Sequence, residues 1–176
     1  MKLTGQFQWT DYLNAQLLHL RPNKFGRIMY YVLFIIMILG VVSGFYFLYL
    51  FITGDYHTEL GSILRIFIIP VLFPLVWLLF RHVLLPYQTR KIFAQQKDLQ
   101  PPFEMEFTDD NLVLSYEFGN AIRPWKHFIK WKENEKLLLL YLSDMMFVMI
   151  PKRFLTDPQQ LEMIKSYIVK NGIRAV

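Results

Sequence analysis

The sequence predicts an α+β membrane protein, in which a two-helix transmembrane hairpin precedes a small antiparallel β domain closed by a C-terminal helix. Hydrophobic residues make up 54% of the 176 residues and charged residues only 19%. This balance is more apolar than that of an ordinary soluble domain. The apolar excess lies in residues 28–85, whereas residues 103–150 largely alternate apolar and polar positions, as half-buried strands do.

Residues 1–27 form a polar segment ahead of the first span. Residues 6–9 are expected to be a short extended piece. Thr10 is a suitable N-cap, and Asp11 would then lie in the first helical turn, where the helix dipole favours a carboxylate. Leucines recur at helical spacing up to Leu20. We predict an amphipathic helix that packs either on the β domain or on the inner membrane face.

The two spans are predicted over about residues 28–52 and 63–85. The first carries no formal charge, and a helix of that length exceeds the hydrocarbon core of roughly 30 Å. The second contains Arg65 and Arg81, each close to one of its ends. A long cationic side chain near a helix end can reach the headgroups, so both arginines are expected at the membrane flanks.

Small residues and prolines mark where the spans are expected to pack. Gly40 and Gly44 form a G-x-x-x-G pair in the first span, a spacing that lets helices approach closely. The partner is either the second span of the same chain or the first span of a second copy, which would make a homodimer. Pro70 and Pro74 lie inside the second span, where each removes a backbone donor and predicts a kink.

The distribution of basic residues predicts the orientation. The connection at residues 53–62 contains no Lys or Arg, while both outer flanks are basic. The flanking cations are Lys2, Arg21, Lys24 and Arg27 before the hairpin, and Arg81, Arg90, Lys91 and Lys97 after it. Because cytoplasmic flanks carry the excess of Lys and Arg, we expect a multi-pass protein with both termini in the cytoplasm.

A juxtamembrane connector is predicted at residues 86–102, with a helix over residues 87–96. The cytoplasmic β domain follows at residues 103–176. Its predicted strands cover residues 103–107, 112–116, 121–123, 129–132, 136–142 and 145–150. Asp157 and Pro158 are expected to open the last helix as N-cap and first residue, and Gly172 to end it.

Cations and large aromatic residues interleave between Arg123 and Lys132. In one interpretation the stretch contacts lipid headgroups or a partner through Arg123, Trp125, Lys126, Lys130, Trp131 and Lys132. Each cation near an anionic surface would then add about 1 kcal/mol. In the other interpretation Trp125, Phe128 and Ile129 fill the domain core while the lysines face water. The membrane tether favours lipid over nucleic acid, which is not an expected partner.

The sequence offers little material for catalysis. It has no cysteine, and its four histidines show no metal-ligand spacing. Glu104 and Glu106 fall on one face of a strand, which is typical of a solvated surface. We therefore expect no catalytic residue, no metal and no cofactor, and a protein that is not an enzyme.

In layout and in three short motifs the chain resembles the YcxB-like family of bacterial membrane proteins. The motifs are Thr10-Asp11-Tyr12, Trp125 with Phe128 and Ile129, and Ile150-Pro151-Lys152-Arg153-Phe154. The resemblance implies a pleckstrin-homology-like C-terminal domain and a location in the bacterial cytoplasmic (inner) membrane. It implies no activity and no catalytic residues. Pro124, directly before Trp125, departs from the pattern and predicts an early end to the third strand.

These features predict a non-enzymatic, membrane-anchored interaction or regulatory module at the cytoplasmic face of the inner membrane. It would bind anionic lipid headgroups or a protein partner. The alternative is an accessory subunit of a transporter or envelope complex, in which Arg65 and the two prolines engage another membrane protein.

Overall fold

The computed structural model describes residues 1–54, 60–117 and 119–176. The chain divides into two compact units: residues 1–21 together with 87–176, and residues 22–86. The prediction of an outer loop at residues 53–62 lies mostly outside the described residues. The side chain of Arg65, which was predicted to lie at a membrane flank, is also outside the described residues.

Strands and helices follow one another along the described chain without regular alternation. The strands are β1 (Lys2–Gly5), β2 (Phe103–Phe107), β3 (Asn111–Tyr116), β4 (Gly119–Pro124), β5 (Lys130–Glu133), β6 (Leu137–Tyr141), β7 (Phe147–Pro151) and β8 (Arg174–Ala175). The α-helices are α1 (Trp9–His19), α2 (Lys24–Thr53), α3 (Leu60–Leu79), α4 (Leu85–Gln95) and α5 (Pro158–Lys170).

The unit of residues 22–86 is built from α2 and α3. The Asn23 side chain caps α2 by accepting a hydrogen bond from the Gly26 N–H at 2.8 Å, and Gly54 ends it in the left-handed conformation at φ 80°. A π-helical turn, Phe80–Leu84, follows α3 and leads into α4. The helix predicted over residues 87–96 corresponds to α4, which begins at Leu85 and continues directly from the π-helical turn. Within the described residues, Lys24–Thr53 and Pro70–Gln95 are long and apolar enough to cross a membrane.

The first sheet has the antiparallel order β1-β2-β3-β4. In β2 every second residue is buried, as its alternating sequence predicted. The chain's first residues form the edge of this sheet, with Lys2 opposite Glu106 and the Met1 amino group donating to the Phe107 carbonyl at 2.9 Å. The extended piece predicted at residues 6–9 is wrong, because the strand lies earlier and α1 already begins at Trp9.

The second sheet has the order β7-β6-β5-β8, in which β8 pairs parallel to β5. All five residues of β6 are buried, although a strand with one solvated face would alternate. Helix α1 contacts β5, β6 and β7, which accounts for the burial of a strand face that would otherwise meet water. The amphipathic helix predicted at the amino terminus thus packs on the β domain.

Two of the motifs that carried the family resemblance meet in space. Asp11 in α1 accepts two hydrogen bonds from the Arg153 guanidinium, at 3.1 Å and 2.6 Å. The same carboxylate accepts the Gln8 N–H at 2.8 Å, so Gln8 precedes the helix and the prediction of Thr10 as N-cap is wrong. This ion pair raises the pKa of Arg153 through the hydrogen bond and charge of Asp11, against a smaller opposing effect of burial.

The C-terminal helix α5 is confirmed at both ends. The Asp157 carboxylate accepts the Gln159 N–H at 2.8 Å, with Pro158 as the first helical residue. Gly172 follows the helix at φ 68°, a conformation that glycine adopts without steric cost. Ile164 and Ile168 are fully buried in the core of the domain.

Candidate functional site

The basic and aromatic stretch of residues 123–132 is divided between core and surface. Trp125 is 1% exposed, its indole N–H donates to the Thr108 carbonyl at 2.9 Å, and its ring stacks on Tyr167 at 5.7 Å. Phe128 is buried as well, but Ile129 is 49% exposed. The placement of Ile129 in the core is therefore wrong, and Trp125 has no free surface with which to contact a ligand.

The chain leaves the extended strand conformation between β4 and β5. This break divides the side chains of residues 123–132 between core and surface. Pro124 ends β4 and a 3-10 turn covers Trp125–His127, so the two-residue alternation is interrupted before β5 begins. Trp131 in β5 packs half-buried against the core, Arg123 is half-buried and Lys126 is exposed.

Lys130 and Lys132 lie on one face of β5, two residues apart. The Lys132 ammonium donates to the carbonyl oxygens of His19 and Arg21, at 3.3 Å and 3.0 Å. These carbonyls stand at the end of α1, where the helix dipole favours a cation. The contact brings together four basic residues, His19, Arg21, Lys130 and Lys132, which we call the cationic face.

The electrostatics of the cationic face show that these charges lie close to one another. Burial lowers the pKa of Lys132, and the like charges of Lys130 and Arg21 lower it further. Burial also lowers the pKa of His19, with added repulsion from Lys132 and Lys130. An anion placed among these groups would relieve the repulsion between them.

Two other lysines of the domain share one acidic partner. Glu133 pairs with Lys152 at 2.5 Å and with Lys165 at 3.2 Å. Burial alone would raise the pKa of Glu133, but the hydrogen bonds and charges of both lysines together outweigh it and lower the pKa. On the cationic face, Lys130 pairs with Asp144. Within the described part of the chain, Arg21 and Lys132 form no ion pair with an acid.

A row of side chains connects the cationic face to the turn between β6 and β7. Lys130, Tyr141 and Phe147 are opposite one another across three strands, and the Lys130 ammonium lies 5.2 Å from the centroid of the Tyr141 ring. His19 Nδ1 is 3.3 Å from the Tyr141 hydroxyl. Burial raises the pKa of Tyr141 to about 12, so this hydroxyl stays protonated at neutral pH.

The turn itself presents two apolar side chains to solvent. The Ser143 hydroxyl accepts the N–H groups of Met145 and Met146, at 3.3 Å and 3.0 Å, and so forms a tight turn. Met145 is 77% exposed and Met146 59% exposed. The strand predicted to begin at residue 145 begins only at Phe147, because the chain is turning over these positions. We call Ser143 to Met146 the methionine turn.

Most of this surface was not predicted from the sequence. Lys130 and Lys132 were predicted contacts, but His19, Arg21 and the two methionines were not. Arg21 was interpreted only as a flanking charge, and Met145 as a strand residue. A usable signal was the pair of adjacent large apolar residues directly after Ser143-Asp144, since that dipeptide is typical of turns.

In the unit of residues 22–86, Gly40 and Gly44 lie in α2, and Gly44 is buried. A Cβ atom added to Gly40 would lie 3.2 Å from Pro70 Cγ in α3, so Gly40 packs against the second helix of its own chain. Arg81 is exposed in the π-helical turn.

Among the described residues, no three His, Cys, Asp or Glu side chains lie close enough together to hold a metal ion. Glu104 and Glu106 face Lys2 across the sheet edge, at 2.5 Å and 3.7 Å. The structure places the cationic face beside the exposed side chains of the methionine turn.

The fold defines an α+β protein with two long apolar helices, two small sheets and a C-terminal helix. A family model described as YcxB-like protein matches residues 107–168. This part of the chain is similar to the YcxB-like family, and the predicted family resemblance is confirmed over it. The match includes Lys130, Lys132 and Arg153. Comparisons with curated proteins and with solved structures gave no match.

Proposed function

We propose that this chain is a non-enzymatic, membrane-anchored module whose cationic face binds anionic lipid headgroups at the cytoplasmic surface of the bacterial inner membrane. The observation that carries the proposal is the cluster of Arg21, Lys130 and Lys132 next to the two exposed methionines. Cations beside apolar side chains are the combination that suits a boundary between headgroups and acyl chains.

The expected binding energy is sufficient for a contact made by a domain that is already anchored to the membrane. Three permanent cations near an anionic surface contribute about 3 kcal/mol in total, less the effect of Asp144 on Lys130. A free protein with that interaction alone would bind more weakly than about 1 mM. Two membrane-spanning helices on the same chain would make the contact intramolecular, so a weak interaction suffices. Arg21 is followed closely in sequence by α2, the first of these helices.

The orientation is part of the proposal. The basic flanks of the hairpin favour both termini in the cytoplasm, and the cationic face would then lie in the compartment of the anionic inner leaflet. The chain contains no cysteine, so a single introduced thiol reports on one position. A Glu162→Cys variant should react with a membrane-impermeant maleimide only after intact cells are opened.

The headgroup contact can be tested on the full chain in vesicles. An environment-sensitive dye on Met145→Cys should shift to the blue, and be quenched by brominated acyl chains, in vesicles that contain phosphatidylglycerol. The same dye on Glu162→Cys, an exposed position of α5, serves as the matched control and should not respond.

Two further measurements separate the effect of charge from the effect of being close to the membrane. Lys130→Gln combined with Lys132→Gln should abolish the response of the Met145 label, and added salt should weaken it through screening. A response that is equal in vesicles of phosphatidylcholine alone would contradict headgroup recognition. A stoichiometric protein partner co-purifying through the methionine turn would instead favour the accessory-subunit alternative.

A further inference from the structure

A recess of about 130 Å³ lies between α2 and α3. Its walls are Tyr30, Phe34 and Met37 on α2, and Phe73, Pro74 and Trp77 on α3. About one turn farther along the pair, beyond Met37 and Pro74, Gly40 packs against Pro70. The large aromatic rings stand at the other end. An apolar cavity of about 150 Å³ accepts a molecule the size of benzene, so this one fits a short length of acyl chain.

Basic residues lie beyond the Tyr30 and Trp77 end of the recess along both helices. Arg27 precedes Tyr30 by three positions, and Arg81 follows Trp77 by four. Side chains at these spacings share one face of a helix. Both arginines therefore lie about one turn beyond the recess, on the faces that form it. The π-helical turn at Phe80–Leu84 adds a small rotation to Arg81 without moving it out of that turn.

The described residues offer the charges at this end no acidic partner. The sequence of α2, α3 and the π-helical turn contains no Asp or Glu. Neither Arg27 nor Arg81 forms an ion pair within the residues described by the structure, and both are exposed. Two uncompensated guanidiniums at one end of an apolar recess are complementary to a molecule with a phosphate at one end and a hydrocarbon chain at the other.

We infer that the recess between α2 and α3 binds one anionic glycerophospholipid, with an acyl chain between the aromatic rings and the phosphate between Arg27 and Arg81. The inference rests on the proposed function only in requiring that the two helices cross a membrane. It is separate from the cationic face, which belongs to the other compact unit. The same helices of a second copy contain no Asp or Glu, so they would present no matching anion to the two arginines.

The test uses the full chain in mild detergent and native mass spectrometry with added phosphatidylglycerol or phosphatidylcholine. Wild-type protein should retain one phosphatidylglycerol and release phosphatidylcholine. Arg27→Gln combined with Arg81→Gln should weaken phosphatidylglycerol retention at least tenfold. The charge-matched control, Lys91→Gln with Lys97→Gln outside the recess, should stay within twofold of wild type.

A second pair of variants tests the acyl-chain part of the site. Met37→Trp fills the recess and should also reduce retention at least tenfold, whereas Leu39→Trp, at a position 60% exposed on the same helix, should not. Equal retention of both lipids, an unaffected arginine variant, or a dimer that forms in place of the lipid adduct would overturn the inference.

Membrane fractionation distinguishes the two possible failures. If the chain resists carbonate extraction but retains no phosphatidylglycerol, the recess is not a lipid site and the headgroup contact of the cationic face is untouched. If carbonate releases the chain, the helices do not cross the membrane and the proposed function falls first.

Discussion

Asp11 is the residue on which the attachment of the amino terminus depends most directly. Its side chain is 9% exposed, and it holds both the Arg153 guanidinium and the Gln8 N–H. Arg153 also donates to the Gln6 carbonyl at 2.8 Å. A carboxylate this enclosed needs its partners, because an unpaired buried charge is far more costly than a surface one.

Replacement of Asp11 by Asn should lower the free energy of unfolding by about 1–3 kcal/mol, since it removes the charge from the acceptor of three hydrogen bonds. Thermal unfolding in detergent measures the loss. A double-mutant cycle with Arg153→Gln should show that the two effects are not additive. Lys170→Gln, which disrupts only the exposed pair with Asp109, is the control and should change stability by less than about 0.5 kcal/mol. Additive effects in the cycle would mean that the two residues act independently.

Strand β6 is buried on both faces because other elements cover it. Leu139 and Tyr141 are opposite Lys132 and Lys130 of β5, on the face that also meets His19 of α1. The other face of β6 is buried as well. A strand enclosed on both sides contributes more apolar burial per residue than an edge strand.

Leu139→Ala should therefore cost about 2–5 kcal/mol, the range for deletion of a buried leucine side chain. Ile122→Ala is the matched control, since Ile122 is 63% exposed in β4, and it should cost well under 1 kcal/mol. Urea unfolding followed by intrinsic tryptophan fluorescence compares the two variants. A similar cost for both would show that α1 does not enclose β6 in solution.

Elements with a long periodic sequence were predictable. The alternation in β2 and the cap residues of α5 are local signals, and both elements formed where they were expected. Met145 was misplaced because a run of apolar residues looks like a strand whether or not the chain turns inside it. Trp125 was ambiguous for a similar reason: the 3-10 turn removes the alternation that would have shown which way its side chain points.

Features that depend on contacts distant in sequence were not predictable. Four residues from Lys2 to Gly5 are too few to show a period, so the pairing of β1 with β2 left no local signal. The cationic face depends on Arg21 reaching β5, a contact across 111 positions. No pattern within either segment contains that information.

At the scale of the whole molecule, the β domain is assembled from two separate stretches of the chain. Residues 1–21 supply β1 and α1, and residues 87–176 supply the rest. The C-terminal segment alone would leave the edge of β2 unpaired and uncover the face of β6 on which α1 packs. Both defects expose surface that favours aggregation.

A chain in which a flexible Gly-Ser linker joins Arg21 directly to Tyr87 should fold as a soluble domain. Residues 103–176 alone should not. Amide NMR dispersion and a cooperative thermal transition are the measurements. If the shorter fragment unfolds with the same midpoint as the linked one, then β1 and α1 are accessory to the domain.

The interruption of the domain by the hairpin also sets an order of events during synthesis. Met1 and Phe107 are hydrogen-bonded partners 106 positions apart, which a ribosome covers in about 5–20 s. During that interval β1 has no β2 to pair with, while the apolar helices α2 and α3 leave the ribosome. The first sheet can therefore be completed only after the hairpin between β1 and β2 has been synthesised. A chain stalled within the hairpin would carry an unpaired β1, which quality-control proteases can recognise.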